Sequence, residues 1–359
     1  MNILIAGGGT GGHLFPGIAI AEAFMARNST NRILFVGTGR PVERSVLSKK
    51  GLPHECITAE GLKGRGLWNQ VFSLLKIPKG IFESVRILKH FKPDLVIGVG
   101  SYSAGPVVIG AWLMGIKIVL HEQNILPGIT NRILSYFADR IYISFRNSKL
   151  ETRNLKKIRF TGNPIRKEIL EPGTKFQVSS FKFQVSIIGG SQGAHSINMA
   201  VIEAIKHIKE KNNFFFVHQT GEQDAAEVKN AYLEQGISCT LRPFFDDMAE
   251  LYQKADIIIC RAGATTVAEV AAIGKPVIFI PFPFAADNHQ VLNARTLTRT
   301  GAAEMILQKN LTGKGLAERI EYYASNPDRL KQMASRAKNL GRPNAAEAIV
   351  NDCYKLLGN

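Results

Sequence analysis

The chain has 359 residues, 45% apolar and 21% charged, an ordinary globular balance with length enough for two domains that each bury a full core. Its formal charge of +16 is lopsided: residues 1–163 hold 22 Lys and Arg against 9 Asp and Glu, residues 164–359 hold 23 against 20. A basic first half implies an anionic partner, whether nucleic acid, anionic lipid or a phosphorylated substrate. The N-terminal apolar run is too short for a signal peptide, and the longest apolar stretch, Gly105 to Ile116, is too short to span a bilayer, so the expectation is a soluble or peripheral protein. Cys56, Cys239, Cys260 and Cys353 are far apart, show no metal-ligand spacing, and read as reduced thiols of a cytosolic protein.

The first seventeen residues read as strand, glycine loop and helix. Asn2 to Ala6 is a short apolar run, Gly7-Gly8-Gly9-Thr10-Gly11-Gly12 follows, and Pro16 suits the first turn of a helix reaching Arg27. Glycine lets the backbone approach a ligand closely, and a helix N-terminus offers free N–H groups to an anion. His13 puts a titratable side chain at the rim of that cradle and is a candidate general base. The loop is not a dinucleotide fingerprint, because the next strand, Arg32 to Val36, ends in Gly37-Thr38-Gly39-Arg40 without a carboxylate. Nor is it a P-loop, for no Gly-Lys-Ser/Thr follows.

Strand-like runs at 2–6, 32–36, 54–58, 94–99, 117–121 and 139–143 alternate with helical patterns near 16–27, 41–50, 68–91, 103–115 and 127–137. This alternation predicts an α/β fold with a parallel sheet, whose ligands bind beyond the carboxyl ends of the strands. Two stretches stand at such ends: a second glycine loop, Gly98 to Pro106, which contains Tyr102, and the polar tetrad His121-Glu122-Gln123-Asn124. Four adjacent polar side chains at a strand end are costly to bury unpaired, which marks the tetrad as a site candidate.

Residues 61–92 carry seven Lys and Arg and one acid, Glu83, interleaved with apolar residues including Trp68, Leu74, Leu75, Ile77, Ile81 and Phe82. Such a mixture suits docking on an anionic membrane. Pro78 and Gly80 are expected to interrupt any helix here, leaving Lys76 and Lys79 on either side of the break.

Thr161-Gly162-Asn163-Pro164 reads as a hinge. Beyond it the opening pattern repeats: Phe183 to Ile188 as a strand, Gly189-Gly190-Ser191-Gln192-Gly193-Ala194 as a loop, then a helix. Further strands are expected at 213–218, 238–241, 256–260 and 276–280. One strand end runs Arg261-Ala262-Gly263-Ala264-Thr265-Thr266-Val267-Ala268-Glu269 into a helix; another ends in Asp287-Asn288-His289-Gln290. The threonines suit helix capping. Glu269 suits either the helix dipole or a sugar diol.

Taken in order, Gly7–His13, Gly98–Gly105, His121–Asn124, Thr161–Arg166, Gly189–Ala194, His218–Gly221, Arg261–Glu269 and Asp287–Gln290 resemble the MurG family, bacterial glycosyltransferases that add N-acetylglucosamine to lipid I to make lipid II for peptidoglycan. The resemblance implies a GT-B fold of two Rossmann-like domains. Residues 1–163 with 341–359 would form an acceptor- and membrane-binding domain, residues 164–340 a domain for UDP-N-acetylglucosamine, and a C-terminal helix from Pro343 to Leu357 would cross back to the first. It implies inverting transfer without metal or cofactor, at the cytoplasmic face of the membrane. Thr10, Gly11, Gly12, Asn124, Arg166, Ser191, Ala264 to Glu269 and Gln290 fall at the family's donor-binding positions, with Glu269 on the uridine ribose, Ser191 and residues 264–266 facing the diphosphate, and Gln290 facing the sugar. Gly9, Thr10, His13, Tyr102 and Glu122 lie on the acceptor side, His13 and Glu122 being the rival candidates for the base. The sequence departs from the family at Phe245, where relatives carry an aliphatic residue near the uracil, and at Asn288-His289, where they carry a paired glutamine.

Other classes fit less well. Another GT-B transferase would share these features with a different acceptor, and a UDP-N-acetylglucosamine epimerase would share the fold but need no acceptor. A nucleic-acid-binding protein is disfavoured by aromatic-poor glycine loops, and a dinucleotide oxidoreductase by the missing ribose carboxylate.

Overall fold

The structure, a computed structural model, describes residues 1–60, 67–146, 156–171, 182–190, 193–245 and 247–358, and of residues 67–75 the backbone alone. The chain forms two compact units, Met1–Arg166 with Asn344–Asn359, and Lys167–Pro343. The first runs three residues past its expected end at 163, and Arg166 lies over the Phe15 ring within it.

In the first unit the elements are β1 (Asn2–Ala6), α1 (Gly11–Arg27), β2 (Arg32–Gly37), α2 (Pro41–Lys49), β3 (His54–Cys56), α3 (Leu67–Phe91), β4 (Leu95–Gly98), α4 (Ala104–Leu113), β5 (Lys117–Glu122), α5 (Ile129–Leu134), β6 (Arg140–Ile143) and β7 (Ile158–Phe160). The strands form a parallel sheet in the order β3-β2-β1-β4-β5-β6-β7. Side chains alternate across it, so Ile3 and Ile5 join one apolar cluster while Leu4 and Ala6 join another. The second unit follows the same plan: α6 (Lys167–Leu170), β8 (Phe183–Ile188), α7 (His195–His207), β9 (Phe214–Gln219), α8 (Ala225–Gln235), β10 (Cys239–Arg242), α9 (Met248–Lys254), β11 (Ile257–Cys260), α10 (Ala264–Ile273), β12 (Val277–Phe279), α11 (His289–Thr298), β13 (Glu304–Met305), α12 (Gly313–Ala324) and α13 (Pro327–Leu340). Its parallel sheet runs β10-β9-β8-β11-β12-β13.

In each sheet the strand order reverses direction between the first strand and its later neighbour, β1 and β4 in one, β8 and β11 in the other. Ligands of open parallel sheets bind at such points. The last helix, α14 (Ala345–Leu357), packs on α1: Ile349, Val350 and Cys353 enter the cluster of Ile3, Leu14 and Phe24. Polar contacts fix its register, with Asn31 Nδ2 donating to the Tyr354 hydroxyl at 3.0 Å and the Tyr142 hydroxyl donating to Asp352 at 3.0 Å.

Local expectations needed correcting in several places. α1 starts at Gly11, so Pro16 lies inside it rather than in its first turn, at the expense of one helix hydrogen bond. α3 runs unbroken through Pro78 and Gly80, because packing on α4 outweighs the lost bond. The sheet edges β7 and β13 are too short to leave a periodic signal in the sequence.

Candidate active site

Both glycine loops of the first unit sit at its reversal point. Gly7 follows β1 at φ 136° and Gly100 follows β4 at φ 90°, and the two pack so closely that a Cβ on Gly7 would collide with the carbonyl of Gly100. A Cβ on Gly100 would in turn meet the His13 ring. Glycine at both positions therefore sets His13 against the β4 end. His13 Nδ1 lies 3.0 Å from the carbonyl of Val99 and 3.0 Å from Gln123 Oε1, so this nitrogen carries the proton and donates. Nε2 is left with its lone pair. Thr10 is the N-cap of α1 and makes no side-chain cap, and Thr10 and Gly12 are exposed, so the helix start is open to an anion.

Gly9 is held differently from the expectation of an anion ligand, because its N–H donates to Glu43 Oε1. The buried Glu43 also accepts from the N–H groups of Thr38 and Arg40, at 3.1 Å each, tying the loop to the start of α2. Glu43 was not singled out in the sequence; Pro41 two residues before it was the available sign of a helix start. The exposed Arg40 guanidinium donates to the Tyr102 hydroxyl and, at 3.3 Å, to the Gly9 carbonyl, and so links Tyr102 to the loop.

The tetrad divides into separate tasks. Glu122 is 2% exposed, and its carboxylate accepts from the Asn124 N–H at 2.9 Å, the Gly128 N–H at 3.1 Å and Asn131 Nδ2 at 2.9 Å. Burial outweighs these bonds and raises its pKa to about 6. Asn124 is half-buried and turned back toward Glu122. His121 and Gln123 are buried, and burial lowers the His121 pKa to about 3, which keeps it neutral. Arg166 is buried with its guanidinium over the Phe15 ring at 4.4 Å, beside α1 in the first unit.

In the second unit the corresponding strand ends are those of β8 and β11. Ser191 lies outside the described residues. α10 has Gly263 as N-cap, which has no side chain to cap with, and Ala264, Thr265 and Thr266 form its first turn, Ala264 and Thr265 buried. One turn on, past Val267 and Ala268, Glu269 is 2% exposed, and its Oε2 accepts from the Tyr252 hydroxyl at 2.9 Å. Phe245 is buried under the Arg242 guanidinium at 5.5 Å. The loop before α11 bends through Asp287 and Asn288, both left-handed at φ 54° and 53°, and Gln290 Oε1 accepts from the Phe282 N–H at 2.9 Å. Asp and Asn tolerate that backbone better than glutamine, a local reason for Asn288 here. Asn131 and Tyr252, which hold Glu122 and Glu269, carried no motif and could not be found from the sequence.

Of the expected membrane residues, Phe82 is 73% exposed, Ile77 and Ile81 are half-buried, and Lys76 and Lys79 pair with Glu60 at 2.5 Å and Glu83 at 3.8 Å. The side chains of Trp68, Leu74 and Leu75 lie outside the described residues.

Two units, each an open parallel sheet whose strand order reverses beside its first strand, define a GT-B-type fold. Family models agree: residues 3–143 match the glycosyltransferase family 28 N-terminal domain and residues 184–349 its C-terminal domain. The chain is 46% identical, over 99% of both sequences, to the UDP-N-acetylglucosamine–N-acetylmuramyl-(pentapeptide) pyrophosphoryl-undecaprenol N-acetylglucosamine transferase of Syntrophus aciditrophicus. The crystal structure of Acinetobacter baumannii MurG superposes with a TM-score of 0.78 at 31% identity, over 99% of each chain. The chain belongs to the MurG family of glycosyltransferases, within glycosyltransferase family 28. A UDP-N-acetylglucosamine 2-epimerase from Neisseria meningitidis, at 16% identity and a TM-score of 0.69 over 99% of this chain and 100% of that one, shares the fold alone.

Proposed function

We infer that the protein transfers N-acetylglucosamine from UDP-N-acetylglucosamine to the muramyl hydroxyl of lipid I, giving lipid II. The observation that carries this is identity of 46% with a transferase of that name along the whole of both chains. The epimerase alternative is not favoured, its likeness being one of fold.

The reaction needs a base for the acceptor hydroxyl and stabilisation of the departing UDP. His13 Nε2 takes the hydroxyl proton as the oxygen attacks the anomeric carbon; the bond to UDP breaks on the opposite face, UDP leaves with the electron pair, and the anomeric centre inverts. Glu122 is the weaker candidate for base, since its carboxylate is spent on three N–H donors that brace residues 122–131. The starts of α1 and α10, with Arg166, supply positive potential for the diphosphates, and the reaction proceeds without a divalent cation. Glu269, steadied by Tyr252, holds the ribose, and Gln290 the sugar.

The first unit docks on the anionic cytoplasmic leaflet. Among the described residues no helix is long and apolar enough to cross a membrane. α3, α4 and α5 cover one face of the first sheet, and on their outer side Phe82, Trp112, Leu113, Ile129, Ile133 and Tyr136 are each more than half exposed. Ile129 and Ile133 lie four apart on α5, on one side of it, and Tyr136 follows in the turn after it. An apolar patch on a strongly basic unit suits an anionic bilayer surface. Trp112, Leu113 and α5 extend the surface beyond the stretch that the sequence suggested.

The test is product analysis. Protein incubated with UDP-N-acetylglucosamine and a short-chain lipid I analogue yields, by mass spectrometry, the acceptor plus one N-acetylhexosamine. An unmodified acceptor alongside a consumed donor rules the assignment out.

A further inference from the structure

We propose that Gln123 is a positioning residue for His13, the last link of a buried relay from Ser144 through His121 that holds the His13 ring with its proton on Nδ1 and its lone pair on Nε2. The inference rests on His13 acting as the base.

Every link has one direction. Gln123 Nε2 lies 2.7 Å from the carbonyl of Val99 and 3.0 Å from His121 Nδ1, and Gln123 Oε1 lies 3.0 Å from His13 Nδ1. Reversing the amide would set two oxygens 2.7 Å apart at Val99, so this orientation is fixed by the backbone. The amide thus spends both N–H bonds, one on Val99 and one on His121, and its oxygen accepts from His13. His121 Nδ1 is then an acceptor and its proton sits on Nε2, which the Gly162 carbonyl and, at 3.3 Å, Ser144 Oγ share; the Ser144 hydroxyl donates onward to the carbonyl of Glu122 at 2.9 Å. Gln123 is 1% exposed and His121 fully buried, so no water competes. A charged His121 would turn an N–H toward the N–H of Gln123, and burial keeps it neutral.

The device resembles the carboxylate that orients a catalytic histidine in hydrolase triads, with a neutral amide in its place. The amide fixes the ring without adding negative charge beside an acceptor that is a diphosphate. Because Val99 also accepts from His13 Nδ1, Gln123 contributes the plane of the ring more than the tautomer itself.

Two measurements test this on the full-length protein. Nitrogen-15 NMR of the histidine rings at neutral pH should show His13 protonated on Nδ1 and His121 on Nε2, opposite tautomers. Gln123→Leu should lower kcat about tenfold or more while UDP affinity by calorimetry and the acceptor KM stay within about twofold, and Gln123→Glu, which sets an oxygen against the Val99 carbonyl and the His121 lone pair, should not recover the loss. His13 protonated on Nε2 overturns the relay, as does a Gln123→Leu enzyme with unchanged kcat or one in which kcat and UDP affinity fall together. A His13→Ala enzyme with full turnover would overturn instead the reading of His13 as the base, leaving the tautomer assignment standing.

Discussion

The two carboxylates buried at strand ends show how one residue type takes different roles through its neighbours. Glu122 accepts from the N–H groups of Asn124 and Gly128 and from Asn131 on α5, bonds that brace its own loop, whereas Glu269 accepts at Oε2 from the Tyr252 hydroxyl of α9. If Glu269 holds the ribose, Glu269→Gln should weaken UDP binding about tenfold or more, the loss of a charge-assisted hydrogen bond of roughly 1.5–3 kcal/mol. Tyr252→Phe, which removes only the support, should cost less, and calorimetry with UDP ranks the two. Equal affinity for wild type and Glu269→Gln would remove Glu269 from the ribose. His13 and the tetrad were visible in the sequence because polar residues clustered after apolar runs. The partners that decide their chemistry, Asn131, Tyr252 and Ser144, were not, since only the fold brings them against the residues they hold.

Among the elements, the long strands were legible from their apolar runs and the helices from their periodicity, but the breakers misled. Pro78 and Gly80 predict a break in α3, yet the helix continues because tertiary contacts with α4 outweigh a single lost bond. Under the proposed docking, the continuous helix carries Lys76, Lys79 and Phe82 on α3, which packs on α4. Replacing Phe82, Trp112 and Ile133 together with serine should strongly reduce co-sedimentation with anionic vesicles, while turnover on a water-soluble acceptor stays near wild type. These side chains are exposed, so the fold should lose little. Unchanged vesicle binding would move the membrane surface elsewhere, with the basic run from Arg140 to Arg159 the next candidate.

At the scale of the whole molecule, each unit carries one fully buried neutral histidine, His121 in the first and His218 in the second, both lowered by burial from 6.5 to about 3. A depressed folded pKa gives stability that is present above the unfolded value and lost as pH falls through it toward the folded one, at up to about 1.4 kcal/mol per pH unit for each proton taken up on unfolding. Glu122, raised from 4.5 to about 6, acts with the opposite sign: its contribution is full below 4.5 and lost as pH rises through about 6. Urea unfolding followed from pH 7.5 down to 5 should show both units weakening below about pH 6.5, the second more steeply because Glu122 partly offsets His121 in the first. His218→Gln should flatten the second transition; an unaltered slope would mean that His218 does not titrate on unfolding. The return of α14 to the first unit was expected from resemblance, and the structure gives its physical basis in Ile349, Val350 and Cys353 on the α1 core. The most direct test of the account as a whole is UDP release, followed with and without a lipid I analogue in the presence of EDTA. The account predicts UDP only when acceptor is present, at a rate that EDTA leaves unchanged and that His13→Ala lowers about 10²–10⁴-fold. Conversion of UDP-N-acetylglucosamine without acceptor, or a strict need for added magnesium, would contradict it.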